Sequence, residues 1–245
     1  RLHRGLVLTS AIGMAWLLSL VVLLHTVPHQ LSWWGIVLAV LLRSQLHTGL
    51  FIIGHDAMHG VLWPKKSRWN NALGAAALGL YAALPYHQCR VKHHRHHSAT
   101  ATRDDPDFPS TLRSGIWGWY GEFMAGYLSW RQMTRLLTGW AILVLMLLPS
   151  NPWAWCSILL FYTLPLLLSS LQLFVFGTYL PHRGQRFPNP AAEPRSLHFP
   201  PWLSLLACFH FGYHREHHNR PDLCWFQLPA VREGHRSLTF GGAGR

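Results

Sequence analysis

Apolar residues fall into four long runs, Leu6–Val27, Leu31–Gly54, Met133–Leu148 and Trp153–Leu180. A bilayer core about 30 Å thick takes roughly 20 helical residues. Each run therefore predicts a membrane-spanning helix, the third with a few flanking residues added at each end. Val27–Leu31 and Pro149–Trp153 are short enough to join the runs in pairs, which predicts two helical hairpins. Two further apolar stretches, Ala72–Leu84 and Pro200–Tyr213, are too short to cross and predict re-entrant or interfacial helices. Ala72–Leu84 is rich in Ala and Gly, which favours close packing against another helix. Pro64, Pro85, Pro106, Pro181, Pro188 and Pro190 punctuate the remaining connections.

Charge fixes the sense of this arrangement. Of 245 residues, 50% are hydrophobic and 12% charged, against about a quarter charged in an average soluble domain. The length suits a single domain over residues 1–245. A formal charge of +12 admits a nucleic-acid reading. The basic residues form no single stripe, however, and lie between apolar runs, so the partner they imply is a lipid bilayer and not nucleic acid. Neither hairpin turn carries Lys, Arg, Asp or Glu; Arg43 lies inside the second run, and the other 20 of 21 Lys and Arg belong to the opposite face. By the positive-inside rule that face and both termini are cytoplasmic. The run Leu6–Leu24 after Arg1 and Arg4 is longer than the apolar part of a signal peptide, about 7–15 residues, and no small-x-small site precedes Pro28, so it reads as a membrane helix. Cys89, Cys156, Cys208 and Cys224 form no C-x-x-C pair and read as small buried apolar residues.

Eighteen histidines are the remaining anomaly, and eight stand in three clusters: His55-x-x-x-His59, His93-x-x-His96-His97 and His214-x-x-His217-His218. On a helix, residues three and four apart share a face, so each cluster projects its imidazoles in one direction. Imidazole suits iron, zinc, copper or nickel, and eight ligands exceed what one ion uses. Two ions in a helical cap just outside the bilayer is the economical reading, because every cluster borders a membrane segment on the basic side. His182, at the end of the fourth run, reads as a ninth ligand or as an interfacial histidine. His210, four residues before His214, shares its face and reads equally as a ligand or a supporting residue. His94 lies off the His93/His97 stripe. Asp56 and Glu216 point about 100° or more away from their histidine neighbours, which suits orienting a ligand better than binding metal. Asp105 and Asp107 either accept N–H bonds from ligating imidazoles or form a solvated turn. Arg43 and His47, one turn apart within a span, should face the bundle interior. His3, His25, His29, His198 and His235 have no partner pattern and read as surface or interfacial.

The clusters and their surroundings resemble the histidine boxes of the membrane fatty acid desaturase and hydroxylase superfamily. More narrowly, four strings are similar to those of the bacterial and cyanobacterial β-carotene 4-ketolases. They are Gly54-His-Asp-Ala-Met-His-Gly60, Lys92-His93-x-x-His-His97 with Asp105-Pro-Asp-Phe108, Gly177-Thr-Tyr-Leu-Pro-His182 and Phe209-His-Phe-Gly-Tyr-His-Arg-Glu-His-His218. The resemblance runs from about Thr48 to Pro229. One departure is Pro221-Asp-Leu-Cys-Trp-Phe-Gln-Leu-Pro229, with one Trp where such ketolases commonly show a pair. The resemblance implies an all-α integral membrane protein with four transmembrane helices, a cytoplasmic cap and a non-haem centre of two Fe2+ ions. It implies that His55, His59, His93, His96, His97, His214, His217 and His218, with His182, hold the iron, and that the iron centre itself carries the catalysis. The implied reaction uses O2 to convert C4 of a β-ionone ring to a ketone by two hydroxylations, taking β-carotene to echinenone and canthaxanthin. No nucleotide-binding or haem motif is present, so electrons come from an external donor such as ferredoxin. Neighbouring readings are a carotenoid ring hydroxylase or an acyl-lipid desaturase; a zinc or copper transporter is a distant one.

Overall fold

The computed structural model describes residues 2–110, 115–184 and 193–241, with side chains over 3–110, 115–184 and 193–234. Arg1, Pro188, Pro190 and the His235 side chain lie outside the described residues. All regular structure among the described residues is helical: α1 (Leu2–His25), α2 (Trp33–Met58), α3 (Ser67–Ala82), α4 (Tyr86–Ser98), α5 (Gly115–Tyr127), α6 (Trp130–Leu147), α7 (Ala154–His182), α8 (Pro201–Cys208), α9 (His214–Asn219) and α10 (Leu228–Gly241). Three of these, α1, α2 and α7, have described stretches long and apolar enough to cross a membrane. Arg131, Gln132, Thr134 and Arg135 occupy the start of α6, which shortens its apolar part. Local signals set the helix starts: Ser32 accepts the Gly35 N–H at 3.1 Å, and Ser129 with Gln132 forms a reciprocal cap on α6.

Helix α2 is the central element, packed on α1, α3 and α7. Its first half bares Trp33, Trp34, Leu38, Leu41 and Leu42, whereas its last turns are almost wholly buried. Similar exposed apolar side chains on α1 (Leu18, Val22), α6 (Leu145, Met146) and α7 (Leu167) extend this outer belt. A belt of that extent is far larger than the apolar patches water tolerates and suits a hydrocarbon surrounding. The α2–α3 approach depends on missing side chains. A Cβ on Gly54 would lie 2.5 Å from Leu78 Cδ2, and one on Gly74 would lie 2.5 Å from both Ala57 Cβ and the Tyr86 ring.

Polar groups hold the apolar bundle in register. Arg43 is fully buried, as its place within a span predicts; its Nε donates to the Phe161 carbonyl at 3.0 Å, and its Nη1 to Trp16 O at 2.5 Å and Ser19 Oγ at 3.0 Å. The Phe161 carbonyl needs such a donor, because Pro165, one turn on, has no N–H. The helix widens there into a π turn over Leu159–Thr163, and a second π turn over Phe174–Tyr179 runs up to Pro181. His47 is likewise fully buried and takes the Trp16 indole N–H on Nδ1 at 3.3 Å. Gln172 on α7 donates to the Ala207 carbonyl at 2.6 Å and Gln45 on α2 to Leu205 O at 3.1 Å, which fixes the end of α8. The two apolar turns meet at buried Asn151, whose Nδ2 donates to Leu24 O at 2.9 Å and to Ser157 Oγ at 3.0 Å.

Removing the buried guanidinium leaves the Phe161 and Trp16 carbonyls without those donors. Arg43→Met is expected to lower stability in detergent by about 1.5–3 kcal/mol, the range for hydrogen bonds to a charged group. Thermal unfolding followed by circular dichroism measures it; an unchanged midpoint would dissociate Arg43 from the bundle's stability.

Candidate metal centre

The end of α2 delivers the first two histidines. The sequence expectation ended this span at Gly54; the helix instead runs to Met58, so His55 lies inside it and His59 is its C-cap. A buried helix end leaves carbonyls in need of donors. Ala57 O accepts from Asn70 Nδ2 at 2.8 Å and from Tyr86 OH at 2.7 Å, and Met58 O lies 3.0 Å from His94 Nε2. His94 thus tethers α4 to α2 and stands apart from the other imidazoles of its cluster.

Helix α4 carries His93, His96 and His97, the last turn of α7 carries His182, and α9 carries His214, His217 and His218. All nine converge. His55, His59, His93 and His217 form one group, and His96, His182, His214 and His218 a second; within each group the possible ligand atoms lie within 4.8 Å of one another. His97 sits at the seam, stacked on His218 with ring centroids 4.1 Å apart and its Nε2 2.9 Å from His217 Nε2.

The donor geometry is that of a cation-binding site. Nε2 atoms face one another at 2.7 Å (His59 and His93), 3.2 Å (His55 and His217), 3.1 Å (His214 and His218) and 3.2 Å (His96 and His218). A neutral imidazole nitrogen is either a donor or an acceptor, so one nitrogen meeting two others cannot satisfy all three with protons alone. Nitrogens about 2.0–2.1 Å from a shared metal ion stand roughly 3 Å apart, close to these separations. Burial, and then the charge of neighbouring imidazoles, hold His93, His214, His217 and His218 well below the ordinary histidine value. The same causes take His97 to about 2, and burial with nearby His94 and Arg90 takes His59 to about 4. Neutral imidazole, the ligating form, therefore prevails at neutral pH. His96 goes the other way. Burial opposes its protonation, but the Asp105 hydrogen bond and the charges of Asp105 and Asp107 outweigh burial and raise it.

The carboxylates divide by what they touch. Asp105 Oδ1 lies 2.9 Å from His96 Nδ1, which leaves Nε2 turned toward the second group. Asp56 Oδ1 lies 3.4 Å from His55 Nδ1, and its Oδ2 accepts the Trp225 N–H at 3.1 Å. Asp107 accepts the Tyr127 hydroxyl at 2.8 Å, and burial raises its pKa. Glu216 pairs with Arg232 Nη1 at 2.8 Å and accepts the Ser196 hydroxyl. His210 corrects the assumption of a continuous helix. Phe209 and His210 both adopt positive φ, 46° and 63°, which ends α8 and breaks the path to α9. Its ring stacks on Tyr213 and Trp225 and lies outside both histidine groups.

Between the two groups opens a cavity of about 40 Å³. Its wall combines His55 and His93 from one group with His96 and His214 from the other, and apolar Phe51, Met58, Leu173 and Phe211. The Phe211 ring packs directly on the Gly177 backbone, in space a Cβ would fill, and edge-on to His55 at 4.7 Å. Asn70, Tyr86, Tyr127 and Arg232 are supporting residues that sequence reasoning did not reach. Their partners lie 13 to 29 positions away, and no local pattern marks them.

Residues 31–240 match the family model described as fatty acid desaturase. The chain is 43% identical over 190 residues to the Beta-carotene ketolase of a Paracoccus sp. strain, covering 76% of this chain and 75% of that protein. It is 40% identical over 235 residues to the Beta-carotene ketolase of Paracoccus sp. strain PC1, covering 92% and 91%. Identity to the Beta-carotene ketolase of Haematococcus lacustris is 38% over 199 residues, covering 76% and 59%. The histidine pattern, the helical frame and these relatives agree, and the chain belongs to the fatty acid desaturase family, in its carotenoid-ketolase group.

Proposed function

We propose that this chain is a membrane-embedded β-carotene 4-ketolase, a single domain over residues 1–245 that uses two iron ions and O2 to turn the C4 methylene of a β-ionone ring into a ketone. The observation that carries this reading is the pair of four-histidine groups opening onto one apolar cavity, in a chain whose relatives bear the ketolase name. His55, His59, His93 and His217 would hold one Fe2+ and His96, His182, His214 and His218 the other, with His97 serving the shell between them. Iron bound there supplies the O2-derived oxidant that protein side chains lack. The chain's own residues do the rest. Asp105 orients His96, Phe211 and Met58 keep water from the cavity, and its apolar wall faces the C4 edge of a hydrocarbon ring that approaches from the bilayer. Two oxygenations of the same carbon give a geminal diol, and loss of water leaves the ketone.

The same reading places α6 across the bilayer as a fourth span. Its support is the Asn151 junction, which sets the α6–α7 turn beside the α1–α2 turn, while Arg131 and Arg135 lie at the opposite, histidine-bearing end of α6. The basic end is then cytoplasmic, with the iron and both termini on that side. An external carrier such as ferredoxin supplies electrons.

Expression in a β-carotene-producing bacterium should yield echinenone and canthaxanthin by pigment chromatography. A hydroxyl at C3 instead would mark a ring hydroxylase, a new double bond in acyl chains a desaturase, and stoichiometric zinc without iron a transporter or zinc protein.

Single replacement of His55, His97 or His217 by Ala should abolish ketone formation, at least a hundredfold, while the protein still inserts, because the spans carry the insertion energy. His94→Ala should lose little activity. Full activity in any of the first three variants would overturn the assigned ligands.

Protons compete with metal for these nitrogens. The lowered values at His59, His93, His97, His214, His217 and His218 mean that these imidazoles, unlike His96, stay neutral in the folded site below the ordinary value of about 6.5, whereas the unfolded chain takes up protons there. Stability gained by burying neutral imidazole is thus intact above that pH and declines as pH falls toward about 4, near the His59 value. Iron content after dialysis at stepped pH should fall over this interval; retention at pH 4 would contradict ligation by imidazole.

A further inference from the structure

Not all of the cavity wall is apolar or histidine. Asp107 and Tyr127 also line it. Asp107 is anchored on three sides: its N–H donates to Asp105 Oδ1 at 2.9 Å, its carbonyl accepts the Trp119 indole at 2.9 Å, and its Oδ1 accepts the Tyr127 hydroxyl at 2.8 Å. The remaining oxygen, Oδ2, receives no hydrogen bond from a described residue. It lies 4.0 Å from His96 Nδ1, beyond hydrogen-bond reach. His96 Nδ1 is already engaged by Asp105.

A carboxylate oxygen that takes no hydrogen bond, set in a wall largely of carbon, is costly. A hydrocarbon ring offers it nothing, so the first oxidation changes what the cavity can recognise. The product of that step is an alcohol at C4, the first species in the sequence with an O–H to donate. A ketone forms only if that alcohol meets the oxidant a second time. In an entirely apolar pocket the alcohol would lose its hydrogen bonds on binding and be released in preference to further reaction.

We propose that Asp107 Oδ2 accepts a hydrogen bond from the C4 hydroxyl of the singly oxidised ring and so retains the alcohol for the second oxygenation. This rests on the ketolase reading above. Tyr127 and Trp119 are positioning residues that hold Asp107 in the cavity wall with Oδ2 not taken by their hydrogen bonds. The effect belongs to the partition between alcohol and ketone, and the first oxidation does not require it.

Two measurements test the assignment. In the pigment assay, Asp107→Leu, which removes every hydrogen-bonding atom of the side chain at similar size, should raise the ratio of 4-hydroxylated to 4-keto carotenoid about tenfold, with β-carotene still consumed. Tyr127→Phe, which leaves Oδ2 in place but loosens the carboxylate, should give a smaller rise. In protein stripped of metal by a chelator, tryptophan quenching should show 4-hydroxy-β-carotene binding about tenfold more tightly than β-carotene, and Asp107→Leu should bind the two alike. Equal binding by the wild type, or a wild-type product ratio from a folded, iron-loaded Asp107→Leu protein, would overturn the proposal. If Asp107→Leu does not load iron, the chelated binding comparison decides. A wild type that makes the ketone while failing these tests refutes the role of Asp107 alone. A wild type that makes no C4-oxidised carotenoid refutes the ketolase reading and this role together.

Discussion

Crowding nine imidazoles into a space from which water is largely excluded is the constraint on which the rest of this fold depends. Each ring brings two nitrogens that need partners, and charge on one ring opposes charge on the next. Burial keeps most of the rings neutral, and acceptors for the outer nitrogens steady them where they exist. Asp105 supplies one at His96, and the facing Nε2 atoms are arranged so that a cation would satisfy them together. Precision in this region therefore has to come from the helices that carry the rings.

That precision is built from backbone satisfaction. The end of α2 is buried, so its Ala57 and Met58 carbonyls call on Asn70, Tyr86 and His94, and those bonds lock α3 and α4 against the histidine-bearing turn. The end of α8 is held in the same manner by Gln45 and Gln172. The contacts that complete each helix terminus thus also set the separations among the ligand-bearing elements. Apolar packing supplies most of the driving force, but it is non-directional and would tolerate rotations that this centre would not.

Much of this was legible in the chain. The long apolar runs located α1, α2, α6 and α7, and the spacing within each histidine cluster located the faces that converge. The burial of Arg43 and His47 followed from the cost of placing them against lipid. Other features were hidden for physical reasons. His210 was read as sharing a face with His214 because sequence spacing assumes an unbroken helix, whereas two successive residues at positive φ reverse the chain there. Glu216 stood beside two histidines in sequence, yet its partner is Arg232, sixteen positions on. Asp107 carried no local sign of Tyr127 or Trp119, because that contact exists only once α5 folds back over the turn.

The widened turns in α7 make the direction of its last side chains depend on residue count. A π turn accommodates one residue more than the regular spiral requires, and everything beyond it is rotated by about 100° relative to an uninterrupted helix. The turn at Phe174–Tyr179 lies between the exposed apolar part of α7 and His182. Excision of a single amino acid there would leave the sequence nearly unchanged by composition, yet swing the terminal imidazole about a quarter of the way around the axis and out of its quartet. Length between Leu173 and Pro181 consequently sets the direction of His182 more directly than the identity of most residues within it.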